Sequence, residues 1–578
     1  MTSRRWVLGL LLLTCLGAAL YLIWAWAQGG LGFPLDDAWI HQTYARSLAQ
    51  TGRWTYAGEQ VSAGSTSPLW TLLLVPGHLL GLDPRAWAYS LGVLCLFGSG
   101  WLVFRLGVAL GVPERPAWFL GALIVTEWHL VWASLSGMET ALFVFLALAL
   151  VYGWFRKGLT AETRWVGPAS RGTGERHAGN VAYGGERKGR TAETQRMQEE
   201  EGEKGEKGEK NLRILRASAV PMILGLVAGL LVLTRPDGVL LVGWLALASL
   251  GELGVGWFAP QKRGGRRGSL SPCLRALGAF AGSFLLTLIP YLVGNWLASG
   301  TLWPNTFYAK QAEYRQVLQA LSVPERLVRL LGTPWVGAQV LLLPGLLALV
   351  WPWQTRTGDG ARASCSPWLL AILAGWWVTV VVVYAMRLPV TYQHGRYLMP
   401  VIPALLILGG MGSYRWLRPS SARLLAWLAS RAWLLGMGVL VLAFLVLGAR
   451  AYSWDVRFIE TELVATAHWL RANTPADSLV AVHDIGAVGY FAERDLVDLA
   501  GLASPEVVPF IRDEEALLEY VLGRGADYLV TFPSWYPQMV QDPRLRPVWK
   551  TGAPWAPALG GENVGVYQVT RQRGVSNE

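Results

Sequence analysis

Pro34-Leu35-Asp36-Asp37-Ala38-Trp39-Ile40-His41 follows the first long apolar segment of the chain, Trp6 to Ala27. Two adjacent carboxylates therefore stand one short loop beyond a segment long enough to cross a bilayer. A charge beside hydrocarbon is costly, so the pair asks for a reason. Helix capping supplies part of one. Pro34 and an Asp precede an amphipathic run, Ile40, Tyr44 and Leu48, that ends near Gly52. A cap explains one acid, whereas a second adds repulsion. At a water–membrane boundary a carboxylate can take the proton of an attacking hydroxyl, and two together can hold a divalent cation.

The composition around this loop fits a membrane chain. Of 578 residues, 53% are hydrophobic and 15% charged. With a mean hydropathy of +0.33, the chain is too apolar for a large soluble protein. Many of the 31 tryptophans stand near the ends of apolar runs, such as Trp24, Trp26, Trp154, Trp351 and Trp353, as in an interfacial belt. The net charge of +11 reads as the positive-inside bias of cytoplasmic loops, not as a nucleic-acid surface. Cys15, Cys95, Cys273 and Cys365 lie in or beside apolar segments and give neither a disulfide framework nor a zinc spacing. Arg4 and Arg5, ahead of a long apolar run with no small-residue cleavage site, read as the start of a retained signal anchor.

About eleven segments approach the roughly 17–25 residues that a bilayer requires: 6–27, 86–110, 116–135, 139–157, 217–233, 237–254, 274–298, 335–353, 368–386, 397–412 and 432–450. Pro68 to Leu80 is too short to span and reads as an interfacial or re-entrant piece. With the N-terminus inside, the charged stretch 157–216 and the basic loops at 262–267 and 415–431 are cytoplasmic. The loops holding Asp36-Asp37, Glu139, Arg235-Asp237, Pro304-Asn305 and His394-Arg396 then share the outer face. That face also carries Lys310, Arg315, Arg326 and Arg329, against the general bias.

Four parts follow. Residues 1–157 form an N-terminal transmembrane part with the first outer loop. Residues 158–212 repeat Thr160-Ala-Glu-Thr at 191–194 and Gly-Glu-Lys from 202 to 210. Such a composition cannot bury a core and predicts a disordered cytoplasmic insertion. Residues 213–450 form the second transmembrane part. Residues 451–578 are soluble in character, with helical periodicity at 457–472 and 512–523 and strands at 478–483, 496–499 and 527–531. This alternation predicts a small extracytoplasmic α/β domain.

Polar motifs interrupt the apolar runs at the outer face. Gly64-Ser-Thr-Ser-Pro-Leu-Trp70 is a polar turn before an apolar helix. Ser136-Gly-Met-Glu139 puts a carboxylate at the start of a span, as cap or as site residue. Glu127 and His129, inside a span, read as a buried hydrogen-bonded pair. Arg235-Pro-Asp237-Gly238 makes a turn in which Arg235 either pairs with Asp237 or faces a cavity that holds the acids. In Pro304-Asn305-Thr-Phe-Tyr308-Ala-Lys310, Lys310 can counter a phosphate and Tyr308 can stack on a sugar, unless both simply snorkel. Tyr392-Gln-His394-Gly-Arg396-Tyr397 opens the tenth span with cations suited to a phosphate. Acids early in the chain and cations late make two opposite half-sites. A phosphate leaving group needs the cations and an acceptor hydroxyl needs a base, and a one-step displacement inverts the anomeric carbon.

In this order, Asp-Asp-Ala-Trp-Ile, Gly-Ser-Thr-Ser-Pro-Leu-Trp, Ser-Gly-Met-Glu, Arg-Pro-Asp-Gly, Pro-Asn-Thr-Phe-Tyr-Ala-Lys and Arg-Tyr-Leu-Met-Pro resemble the GT-C superfamily of polyprenyl-phosphate-sugar-dependent glycosyltransferases. The mycobacterial terminal arabinofuranosyltransferase branch is the most similar. The match runs from about 30 to about 410, outside the insertion. The resemblance implies a multi-pass plasma (inner) membrane enzyme that moves a sugar, with inversion, from a polyprenyl-phosphate donor to a glycan, lipid or protein acceptor outside the cell. It maps the first-loop acid onto Asp36, with Asp37 as neighbour, and a further acid onto Glu139. Arg235, Asn305, Tyr308, Lys310, His394, Arg396 and Tyr397 are the expected substrate-binding residues. A divalent cation on Asp36 and Asp37 stays open, since some members use one and others do not. Trp469-Leu-Arg-Ala-Asn-Thr-Pro and His483-Asp-Ile-Gly resemble soluble domains of such proteins. The competing reading is a lipid-linked sugar flippase or transporter, against which no repeat between the two halves is visible.

Overall fold

The computed structural model describes residues 2–56, 64–162, 219–258, 270–350, 367–416, 424–558 and 561–570. Residues 163–212 of the expected insertion lie outside them. Apolar runs become helices because hydrocarbon offers the backbone no partner beyond its own chain. The first part holds α1 (Thr2–Gln28), α2 (Asp37–Thr51), α3 (Pro68–Leu79), α4 (Pro84–Ala109), α5 (Glu114–Thr126), α6 (Trp128–Ser134) and α7 (Thr140–Glu162). Then come α8 (Ala219–Thr234), α9 (Gly238–Phe258), α10 (Leu270–Ser299), α11 (Asn305–Glu313), α12 (Arg315–Ala320), α13 (Val323–Gly332) and α14 (Leu343–Val350). The apolar part closes with α15 (Pro367–Arg387), the short turn α16 (Tyr392–Gly395), α17 (Ile402–Trp416) and α18 (Leu424–Ile459).

Every expected span carries helix. Among the described residues, six helices are long and apolar enough to cross a membrane, and a seventh is made if one bent pair counts as a span. α3, α8 and the apolar stretches of α7 and α9 are shorter. Two expected spans are broken. Glu127 leaves the helical region (φ −69°, ψ 121°) and its carboxylate accepts from the amide of Leu130 at 2.9 Å, so 116–135 divides into α5 and α6. At the start of 335–353 the chain breaks between Trp335 and Ala338, at Gly337 (φ 154°), and the two helix axes bend by 98°. Small residues bring helices close. A side chain at Gly92 of α4 would meet the carbonyl of Ser134 at 1.9 Å.

The domain boundary expected at 450 falls inside one continuous helix. α18 passes through a π turn (Glu460–Val464) into α19 (Ala465–Asn473). The extra residue of that turn aims Glu462 into the soluble part. There its buried carboxylate accepts from Asn563 Nδ2 at 3.1 Å, the amide of Val564 at 3.0 Å and the Thr551 hydroxyl. Among the described residues the soluble part has five strands, β1 (Leu479–Val482), β2 (Asp495–Asp498), β3 (Tyr528–Thr531), β4 (Leu545–Lys550) and β5 (Gly565–Val569), in the order β2-β1-β3-β5-β4. β2, β1 and β3 are parallel, and β5 and β4 add antiparallel. α20 (Ile485–Phe491), α21 (Glu514–Gly523) and the turn α22 (Trp555–Ala558) complete it. β1, β2, β3 and α21 lie where alternation placed them, whereas α20, β4 and β5 had not been expected.

Candidate active site

The first loop is gripped by the soluble domain. Asp36 precedes α2 but makes no capping bond to it. Its Oδ2 and Oδ1 accept instead from the amides of Gly486 and Ala487, both at 2.7 Å. These are orphan donors of the first turn of α20. Burial pushes the Asp36 carboxyl up against the pull of those two amides. A side chain at Gly486 would come within 2.1 Å of the Asp36 carbonyl, so the approach needs glycine. Around this bond Trp39 packs on Tyr490 and Phe491, with ring centroids 4.8 and 4.6 Å away. Arg46 donates to the Tyr490 carbonyl at 2.8 Å and Tyr56 to that of Ile485 at 2.5 Å.

Asp37, one residue on, faces a different side of the helix. It lines a cavity of about 430 Å³ where the polar motifs meet. Its Oδ2 lies 2.6 Å from Arg396 Nη2 and 3.5 Å from Lys310 Nζ. Burial works against ionisation there, but Lys310 and Arg396 outweigh it and hold the carboxyl well below the usual carboxylate range. Lys310 and Arg396 also donate to the Tyr397 hydroxyl, at 2.9 and 3.2 Å. Nε and Nη1 of Arg396 are buried with no hydrogen-bond partner among the described residues. Asp37 thus uses only one of the guanidinium's nitrogens.

The opposite wall is built on Arg235. Asp237 takes its Nε at 3.2 Å and its Nη2 at 3.3 Å, and Tyr384 accepts from Nη2 at 2.9 Å while donating to Asp237 at 2.9 Å. Both alternatives for Arg235 thus hold: it pairs with Asp237 and it lines the cavity. Glu139 Oε1 lies 3.6 Å from Arg235 Nη1, and its buried Oε2 lies 3.6 Å from His41 Nε2 without a hydrogen bond. His41, whose pKa burial lowers, is held from behind by Thr71 at 3.2 Å and Ser65 at 3.5 Å. The Gly64–Trp70 motif therefore builds the wall. The Gly64 carbonyl accepts from Thr306, and Trp70 donates to the carbonyl of Gly137, two residues before Glu139.

Of the expected residues, Asp37, Glu139, Arg235, Lys310, Arg396 and Tyr397 line one cavity. Asp36, Asn305, Tyr308 and His394 are not among its lining residues. Helical period explains the split on α11: Thr306, Phe307, Lys310 and Gln311 share the cavity face. Tyr308 turns outward, edge-on to Phe307, and Asn305 is buried at the helix start with its amide unpartnered among the described residues. Gln393 and His394 have left-handed backbone (φ 52° and 58°). His394 bonds Asp455 at 2.7 Å and packs edge-on to Trp128 and Trp132. Glu127 and His129 are the expected buried pair, 2.7 Å apart. The sequence reading missed Trp132, Trp303, Tyr384 and Arg387, which also line the cavity. Arg387 had a signal, since it is a cation at the C-terminal end of an apolar run. Among the described residues no three His, Cys, Asp or Glu side chains gather as a metal site.

A multi-pass helical part joined through its last helix to a small mixed-sheet domain is a fold shared with solved structures of membrane proteins. The crystal structure of ArnT from Cupriavidus metallidurans bound to undecaprenyl phosphate superposes with a TM-score of 0.51 at 15% identity, over 96% of this chain and 97% of that one. The apo oligosaccharyltransferase of Archaeoglobus fulgidus gives 0.54 at 12%, over 92% and 70%. AglB from the same organism, in complex with an inhibitory peptide and a dolichol-phosphate, gives 0.51 at 13% over the same shares. At these identities the likeness is one of fold. Residues 451–570 match a family model described as "Domain of unknown function (DUF8728)". Comparison with curated proteins finds no match.

Proposed function

We propose that the chain is an inverting glycosyltransferase of the plasma (inner) membrane, taking a sugar from a polyprenyl-phosphate donor to an acceptor outside the cell. The observation that carries this reading is the pairing of two cations, Arg396 and Lys310, with Asp37 in the lining of one cavity. The undecaprenyl phosphate and dolichol-phosphate bound by the structural neighbours support the lipid donor. Within this reading, the soluble domain is extracytoplasmic and the product belongs to cell-envelope glycan or glycolipid. The motif order favours the arabinofuranosyl branch.

The chemistry is a single displacement. Arg396 and Lys310, with Arg235 and Arg387 nearby, bind the donor phosphate. Drawing the first two cations onto that phosphate loosens their hold on Asp37 and raises its proton affinity. The Asp37 carboxylate takes the acceptor hydroxyl proton as the acceptor oxygen bonds to the anomeric carbon. The bond from that carbon to the phosphate oxygen breaks, and the polyprenyl phosphate leaves with its electron pair, held by the same cations. Glu139, which lines the same cavity, orients sugar hydroxyls. Asp36, bound to Gly486 and Ala487, positions Asp37 rather than taking the proton. Arg396 and Lys310 stand beside Asp37 where a divalent cation would stand, so the residues do not fit a resident metal. In a deletion strain, lipid analysis is expected to show an accumulating polyprenyl-phosphate sugar, cleared by the wild-type gene and not by Asp37→Asn. No accumulation, or clearance by the variant, would refute the reading.

A further inference from the structure

The soluble domain carries a second constellation that the transfer chemistry leaves unused. β1 and β3 are neighbouring parallel strands, and the chain leaves them in opposite directions: β1 leads to β2 on one side, while β5 flanks β3 on the other. In open parallel sheets such a switch point, at the carboxyl ends of the strands, is where ligands bind. The residues just beyond these two ends are His483, and Trp535 with Tyr536. His483 Nδ1 bonds the Tyr536 hydroxyl at 2.7 Å, and its ring stands edge-on to Trp535 at 4.7 Å. Facing them is the last residue of α11, Glu313. Its Oε1 lies 3.9 Å from His483 Nε2 and 3.5 Å from Arg512 Nη2, while Arg512 Nε is held by the Glu313 carbonyl at 3.1 Å. Neither contact of the carboxylate is a close hydrogen bond, so it has room for a further donor. Trp535 is 41% exposed.

We propose that this cluster is the acceptor subsite and that it takes a carbohydrate. An exposed indole offers a flat face to the C–H side of a sugar ring. A loosely held carboxylate, an imidazole and a guanidinium offer acceptors and donors for its hydroxyls. Glu313 lies three residues, one helical turn, after Lys310, so a chain of sugars seated here ends beside Asp37. The assignment rests on the transferase reading but concerns other residues.

The test is saturation-transfer NMR on the full chain in nanodiscs, with arabinan, mannan and glucan tetrasaccharides as probes and a tetrapeptide as control. At least one tetrasaccharide is expected to bind the wild type, with affinity reduced about tenfold or more in Trp535→Ala and in Glu313→Gln. Undecaprenyl phosphate is expected to bind all three proteins alike, which reports folding and the donor half of the site. Binding of no tetrasaccharide, of the peptide alone, or equally to wild type and variants would overturn the proposal. Loss of undecaprenyl phosphate binding in the wild type would overturn the transferase reading instead.

Discussion

Replacing Asp36 by asparagine separates two roles that adjacent carboxylates hide. The Asp36 oxygens accept from Gly486 and Ala487, each at 2.7 Å. A hydrogen bond to a charged group contributes roughly 1.5–3 kcal/mol net. Asparagine keeps one acceptor oxygen and turns an NH₂ toward the other amide, so about one such bond is lost. The expected cost is roughly 1.5–3 kcal/mol, or about 10- to 150-fold in the equilibrium that docks α20 on α2. Trp39, Arg46 and Tyr56 still hold the domain, so the effect is local. Hydrogen exchange of the full chain in nanodiscs should show faster exchange at Gly486 and Ala487, with a partial loss of transfer. Asp37→Asn should abolish transfer and leave that exchange unchanged. If Asp36→Asn abolishes transfer while exchange at Gly486 and Ala487 stays at the wild-type rate, Asp36 is the proton acceptor and the assignment fails.

Gly486→Ala should undock the same contact from the other side, because the added carbon meets the Asp36 carbonyl at 2.1 Å; exchange across 485–491 and limited proteolysis of the soluble domain report it. Arg396→Ala should weaken undecaprenyl phosphate binding by about 2 kcal/mol or more, roughly 30-fold, measured by isothermal titration, and an unchanged affinity would remove Arg396 from the phosphate site. Burial, with Arg512 nearby, pulls the His483 pKa down to about 3. Its unfolded value is near 6.5, so the unfolded chain binds the proton first. Stability is full above that pH and falls as pH drops from about 6.5 toward 3, by at most about 1.4 kcal/mol per unit. His483→Gln should flatten that slope in a thermal-unfolding series. A chelator should leave transfer intact, since Arg396 and Lys310 stand where a cation would act, and loss of activity restored by a divalent ion would contradict this.

The helical membrane fold was legible because apolar length is a local signal. Every expected span carries helix, and the two breaks came from residues whose effect depends on context. Glu127 turns the chain by capping α6, and a glycine such as Gly337 alone predicts a bend only loosely. The cavity was half legible. Polar motifs in apolar runs pointed to Asp37, Glu139, Arg235, Lys310, Arg396 and Tyr397, because charge near hydrocarbon needs a partner or a cavity. The face each residue presents was not legible. Lys310 and Tyr308 are two residues apart on α11 and look to opposite sides, and the left-handed backbone at 393–394 that turns His394 to Asp455 has no clear mark in the sequence. Least visible was the division between Asp36 and Asp37. It rests on amides 450 residues away, and β4, β5 and α20 of that domain were too short and mixed in pattern to foresee.

The most direct test is transfer in liposomes, using the polyprenyl-phosphate sugar that accumulates in the deletion strain together with a soluble acceptor. Wild-type chain should release polyprenyl phosphate and give a product whose anomeric configuration is opposite to the donor's, and Asp37→Asn should give none. Lipid-linked sugar appearing in the opposite leaflet with no glycosyl product, or a product with retained configuration, would contradict the account.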